Sequence, residues 1–163
     1  MKRMIAAAAL LGTLASGAAQ AQQEGFGVGM IIGEPTGVSL KGWLNNTRAV
    51  DMGLAWSFSE NNSMQLHGDY LLHDFNLLRP TNLDGRVAVF YGVGGRIKFE
   101  HGGDDKNARN HDDTLVGVRV PVGVSYYPAN MSVELFGEFV PVLDIIPDTK
   151  FDLNLAIGGR YYF

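Results

Sequence analysis

The sequence lacks cysteine altogether, is poor in basic residues and has no long apolar run beyond its first 21 positions. With no cysteine, no disulfide contributes to the fold. A membrane-spanning helix needs about 20 consecutive apolar residues. No such stretch follows position 21, so if this chain crosses a membrane it must do so with the strands of a closed barrel.

Residues 1–21 have the three parts of a secretion signal. Lys2 and Arg3 supply the positive start, residues 4–14 form an apolar stretch too short to span a bilayer, and Ala19-Gln20-Ala21 matches a cleavage site. The alternatives, a membrane anchor or a buried N-terminal helix, fit this length and these flanks less well. We therefore predict a signal peptide over residues 1–21 and one mature domain over residues 22–163.

The mature chain is acidic. Without Lys2 and Arg3, 11 of the 13 basic residues remain against 17 acidic ones, which is a net charge of −6. Nucleic-acid binding requires a basic surface, so nucleic acid is not expected as a partner.

From Phe26 to Phe163, apolar and polar or small residues alternate with a period of two, which is the signature of β-strands. Eight segments of about ten residues show the pattern, and ten residues suffice for a tilted strand to cross a bilayer. Glycine, at 21 of 163 residues, is nearly twice as frequent as its usual share of about 7%, and it recurs inside these segments. The last segment is the clearest, with one face formed by Phe151, Leu153, Leu155, Ile157, Gly159, Tyr161 and Phe163.

The pattern predicts an all-β fold, an eight-stranded antiparallel transmembrane β-barrel with a plugged polar lumen. An even number of strands places both termini on the periplasmic side. Periplasmic connections are then expected at 45–47, 75–85 and 128–130. Outer loops are expected at 34–36, 59–63, 100–113 and 144–150. The register of the first, second and seventh strands is the least certain from sequence, because a slip of one residue would exchange their two faces.

The chain ends in Gly159-Arg160-Tyr161-Tyr162-Phe163, which resembles the C-terminal signal read by the outer-membrane assembly machinery. This resemblance implies that Tyr161 and Phe163 are the recognised aromatic residues. As a whole, the mature chain is similar to the small eight-stranded barrels of the OmpX, OmpA transmembrane-domain and OmpW type. The segments Gly33–Ser39, Trp56–Phe58 and Asp69-Tyr70 also resemble an uncharacterised outer-membrane barrel family.

Charged residues on the predicted inner face are balanced in sign. An eight-stranded barrel is just wide enough for side chains, and buried charges need partners to offset their desolvation. We therefore predict a ladder of internal ion pairs that makes the barrel rigid rather than porous. Its basic members are Lys41, Arg96, Lys98, Arg119 and Arg160, and its acidic members are Asp51, Asp69, Glu134, Glu138 and Asp152.

Catalytic and metal-binding interpretations are weaker. His67, Asp69 and His73 fall on the inner face. A His/Asp pair there could activate Ser39, Ser57 or Ser125 as the nucleophile of a lipid-modifying enzyme. However, no convincing triad is visible. The acidic and histidine-containing segment 100–113 matches no calcium loop, so we expect neither a metal nor a cofactor.

The favoured function is a non-enzymatic protein of the Gram-negative outer membrane, contributing to envelope structure or surface interaction. A lipid A-modifying enzyme and a narrow pore or carrier of small hydrophobic molecules remain the alternatives. Expected partners are outer-membrane lipid, lipopolysaccharide and the barrel assembly machinery. The sequence does not identify a surface ligand.

Overall fold

A computed structural model describes residues 25–34, 36–57, 63–100 and 113–163. These residues form antiparallel β-strands joined by short connections. In that part of the chain no helix is long and apolar enough to cross a membrane. The strands are β1 (Phe26–Glu34), β2 (Thr36–Asn45), β3 (Arg48–Ser57), β4 (Ser63–Asp74), β5 (Gly85–Glu100), β6 (Asp113–Arg119), β7 (Val122–Pro128), β8 (Val133–Ile146) and β9 (Lys150–Tyr162).

The sheet closes on itself, because β1 pairs with β2 on one side and with β9 on the other. Strands β6 and β7 are two halves of one strand, since both pair with β5 and with β8. The interruption falls at Val120-Pro121, where proline has no N–H to donate. Val120 N still donates to Pro141 O at 3.0 Å, and Gly92 N donates to Pro121 O at 2.9 Å. The predicted ring of eight antiparallel strands is confirmed.

The two faces of each strand differ as the alternation predicts. Inward side chains are buried and outward apolar side chains are exposed along β1, β2, β4, β8 and β9. The register therefore agrees with the sequence pattern in the first, second and seventh strands of the ring, where it was least certain. Outward residues that are at least a third exposed include Met30, Ile32, Val38, Met52, Leu66, Val93, Val118, Val124, Leu135, Leu153, Leu155 and Ile157.

Inward glycines make room for large side chains from neighbouring strands. A Cβ atom added to Gly53 would collide with the His67 ring, and one added to Gly158 would collide with Phe136. Outward glycines differ, because a Cβ on Gly68 would come no closer than 3.9 Å to any other atom. The high glycine content thus has a steric cause on the inner face of a narrow barrel.

Strand β8 is longer than the sequence pattern indicated. It continues to Ile146, so the connection to β9 spans only residues 147–149 rather than 144–150. The alternation persists through this extension, and Asp144 is buried inside the barrel. Placing Asp144 in an outer loop was therefore wrong. Pro141, in the middle of β8, concealed the continuity, because proline normally argues against an internal strand.

Candidate functional site

The interior of the barrel is a network of charged and hydroxyl groups. Glu134 lies at its centre, near the barrel end at which Phe26 and Phe163 lie. Glu134 is fully buried on β8. Its Oε1 accepts hydrogen bonds from Lys41 Nζ (2.7 Å), Ser125 Oγ (2.6 Å) and Tyr127 Oη (3.0 Å). Its Oε2 accepts from Tyr162 Oη (2.6 Å) and Arg160 Nη1 (3.2 Å). Five donors around one carboxylate offset the desolvation that isolates it from water.

Arg160 on β9 links Glu134 to the opposite wall. Its Nη2 pairs with Asp51 on β3, and its Nε donates to Ser39 Oγ at 2.7 Å. The guanidinium carbon also lies 3.8 Å from the centroid of the Phe136 ring, a cation–π contact in a desolvated setting. One arginine therefore joins four strands across the lumen, β2, β3, β8 and β9.

The middle of the lumen is built around Arg119, at the end of β6. Arg119 Nη2 lies 3.1 Å from Asp69 Oδ2 and 3.9 Å from Glu138 Oε1. Its Nε and Nη1 and the Asp69 Oδ1 are buried without a hydrogen-bond partner among the described residues. The buried polar atoms of the middle layer thus have fewer hydrogen-bond partners than those of the layer around Glu134.

Arg96 on β5 organises the opposite end of the lumen. It binds Asp144 in a bidentate pair, with Nε–Oδ1 at 3.0 Å and Nη2–Oδ2 at 2.6 Å. Its Nη2 also lies 2.8 Å from Asp152 Oδ2, and its Nη1 donates to Gln65 Oε1 at 3.2 Å. Asp144 is the main partner of Arg96 and was missed from sequence. Continuing the alternation past Pro141 would have placed it on the inner face.

Nine of the ten residues predicted for the lumen take part in these contacts. Lys98, the tenth, is half-buried on the same face of β5. Asp144 alters the predicted balance, because six acidic side chains now share the described lumen with five basic ones. The structure thus arranges the charges in three layers, around Glu134, Arg119 and Arg96.

An aromatic cluster fills the lumen next to the Glu134 layer. Phe75, just after β4, packs on Trp43 and Tyr127 with ring centroids 6.4 and 5.8 Å away. His73 lies 4.5 Å from the Trp43 ring, and its Nε2 is 2.8 Å from Lys41 Nζ. Because the Lys41 ammonium can only donate, Nε2 of His73 acts as the acceptor. Sequence reasoning missed this cluster, since Phe75 lies outside any alternating segment.

The candidate catalytic side chains that the structure describes, which leave out Ser57, are engaged in other contacts. Asp69 is paired with Arg119, and His67 lies with its Nδ1 3.3 Å from Gln65 Nε2. Ser39 is bonded to Arg160, and Ser125 is bonded to Glu134. Neither serine meets a histidine in the contacts of the described lumen. In these contacts Asp69 pairs with an arginine, and the two serines bond to members of the ion-pair layers.

Several predicted features lie outside the described residues. The signal peptide and most of segment 100–113, with its histidines and carboxylates, are among them. Within residues 25–34, 36–57, 63–100 and 113–163, no group of three or more histidine, aspartate or glutamate side chains is placed to hold a metal ion.

Comparison with solved structures identifies similar architecture. The N-terminal β-barrel domain of OprF from Pseudomonas aeruginosa superposes with a TM-score of 0.64, covering 86% of this chain and 98% of that domain at 11% sequence identity. The fold is that of a small outer-membrane β-barrel. Neisserial surface protein A gives a TM-score of 0.47 at 14% identity, over 85% of this chain and 94% of that one. No protein-family model matches the sequence. No curated protein matches it either.

Proposed function

We propose that this chain is a non-enzymatic protein of the bacterial outer membrane whose lumen is closed to ions. In this role it contributes to envelope structure or surface interaction. The proposal rests above all on the lumen, where charged side chains from opposite walls are paired layer by layer. Such a filled interior resists the passage of ions and holds the strands in one arrangement.

The outer surface supports location in a membrane. Exposed apolar side chains recur on the outward face of every strand, whereas the buried charged side chains, such as Lys41, Arg119 and Glu134, are turned inward. In water this surface would favour aggregation, and in a bilayer it would meet hydrocarbon. Among the described strands, closure of the sheet also leaves each one paired on both sides, as a lipid environment requires.

The proposed function also requires export across the inner membrane and insertion into the outer membrane. Residues 1–21 serve as a cleaved signal, and the C-terminal aromatics Tyr161 and Phe163 serve as the signal for barrel insertion. These two rings contact each other edge-on, with centroids 5.1 Å apart. They lie on the outward face, where an assembly factor can reach them.

Conductance tests the closed lumen directly. The purified protein reconstituted in planar lipid bilayers is expected to show no stable ion current. Arg119→Ala combined with Glu138→Ala removes side chains from the least satisfied layer and is expected to produce current. Arg79 lies outside the lumen, so Arg79→Ala serves as the control. A steady current through the wild-type protein would contradict the proposal.

Enzymatic activity is tested by mass spectrometry of lipid A from cells with and without the protein. We expect identical spectra. An acyl-chain mass difference that disappears with His67→Ala would instead show a lipid-modifying enzyme.

A further inference from the structure

An open cavity of about 560 Å³ lies at the barrel end at which Phe26 and Phe163 lie, against strands β3, β4 and β5. It shares His73 and Phe75 with the aromatic cluster at this end of the lumen. Its other lining residues, among them Arg48, Leu72 and Tyr91, belong to none of the three charged layers. Its lining combines arginine, aromatic and aliphatic side chains, and the residues are Asn46, Thr47, Arg48, Leu72, His73, Asp74, Phe75, Asn76, Arg86 and Tyr91.

The membrane-facing wall of this cavity is a single cross-strand row. Arg48 on β3 pairs with Leu72 on β4, and Leu72 pairs with Tyr91 on β5. All three belong to the outward face of their strands. The next outward row, two residues further from the rim, is Val50, Tyr70 and Val93. The cavity therefore opens directly onto the apolar band of the barrel.

Two arginines give the cavity its charge. The guanidinium of Arg48 has no hydrogen-bond or ion-pair partner within the described residues. Arg86 is held by the Phe75 ring, with its guanidinium carbon 4.2 Å from the ring centroid. The acidic side chain in the lining, Asp74, accepts a hydrogen bond from Asn76 N at 2.7 Å. With Arg48 and Arg86 against Asp74, the charged side chains of the lining carry a net positive charge.

We propose that this cavity binds the phosphate of an anionic phospholipid from the periplasmic leaflet, with the acyl chains against the row of Val50, Tyr70 and Val93. Guanidinium groups match phosphate oxygens in geometry and charge. Tyrosine and arginine are side chains suited to the water–lipid interface. A ligand with an anionic head and an apolar tail satisfies both halves of the site, whereas free phosphate satisfies only the first.

The inference rests on the proposed membrane location and orientation, so its test begins with insertion. The full mature protein is reconstituted into vesicles of phosphatidylcholine containing a minor fraction of phosphatidylglycerol, and flotation with the vesicles is checked. Failure to float would contradict the proposed function itself. For protein that floats, lipids retained after mild detergent extraction are quantified by mass spectrometry.

Wild-type protein is expected to retain phosphatidylglycerol well above its share in the vesicle. The double variant Arg48→Gln with Arg86→Gln is expected to lose this enrichment by about tenfold, because two charge-assisted contacts are removed. Arg79→Gln is the matched control. It removes an exposed arginine from the connection between β4 and β5, at the same end of the barrel, but one that does not line the cavity, and it is expected to keep the enrichment.

Three results would overturn the inference. The first is equal retention of both lipids by floating wild-type protein. The second is an equal loss in Arg79→Gln and in the double variant, which would indicate a general charge effect. The third is displacement of the retained lipid by millimolar inorganic phosphate, which would identify a site for free anions. Retention that resists phosphate and depends on Arg48 and Arg86 would support the lipid site.

Discussion

At the residue scale, solvent exposure separates two carboxylates that share one arginine. Asp144 and Asp152 both bind Arg96, but the Asp144 side chain is 1% exposed and the Asp152 side chain is 35% exposed. An ion pair that remains in contact with water contributes little to stability, because water screens it. Breaking a buried pair by removing one partner costs far more, since it leaves the other charge desolvated.

We therefore expect Asp144→Asn to lower the free energy of unfolding by about 3 kcal/mol or more. Asp152→Asn, which changes the same chemical group, is expected to lower it by less than about 1 kcal/mol. Urea unfolding in lipid vesicles measures both. Equal effects of the two substitutions would mean that burial does not determine the strength of the Arg96 layer.

At the element scale, neighbouring strands contain glycines with opposite steric surroundings. Gly53 on β3 lies inward beneath the His67 ring, and Gly68 on β4 lies outward with open space beyond it. Gly53→Ala is expected to destabilise the barrel by about 1–3 kcal/mol through overpacking. Gly68→Ala is expected to be neutral or to stabilise it by about 0.5 kcal/mol, because alanine reduces the entropy of the unfolded chain.

The same vesicle unfolding assay compares these two variants. His67→Ala combined with Gly53→Ala should recover part of the loss, since the colliding ring is gone. If Gly53→Ala alone were neutral, inward glycines would not be required by the width of the lumen.

Strand β9 offers a second comparison, between Phe151 near its start and Phe163, which follows its last residue. Phe163 and Phe151 are both outward and both at least half exposed. If the terminal aromatic is an assembly signal, Phe163→Ala should reduce the amount of inserted barrel in cells severalfold, whereas Phe151→Ala should have little effect. Heat-dependent migration of outer-membrane fractions on gels measures the inserted form. An equal reduction in both variants would point to lost contact with lipid rather than lost recognition.

At the scale of the whole molecule, the proposed periplasmic position of both termini makes a prediction about orientation. It predicts that the connection 75–84 is periplasmic and that the connection 101–112 is on the cell surface. A protease site inserted into 101–112 should be cut on intact cells, and the same site in 75–84 only after the outer membrane is permeabilised. The reverse pattern would show that the barrel is inserted with the opposite orientation.

Much of the barrel follows from alternation alone. The period of two along each strand shows which side chains face the polar interior and which face an apolar environment. The face assignments of Met30, Lys41 and Arg160 required nothing but the period of two. Alternation was less informative where proline interrupted it. Pro121 separates β6 from β7, and Pro141 lies in the adjacent strand β8. The sheet tolerates both prolines because their carbonyl groups still accept hydrogen bonds from Gly92 N and Val120 N.

The sequence by itself determined the strands, their faces and the charged character of the interior, because these properties repeat locally along the chain. Only the tertiary structure decided which charges meet. Lys41 and Glu134 are 93 residues apart, and Arg160 and Asp51 are 109 apart. Their proximity depends on closure of the sheet and on the stagger between strands, which no local pattern encodes. The aromatic cluster around Phe75 and the arginine-lined cavity arise in the same way, from connections brought to one rim by the ring.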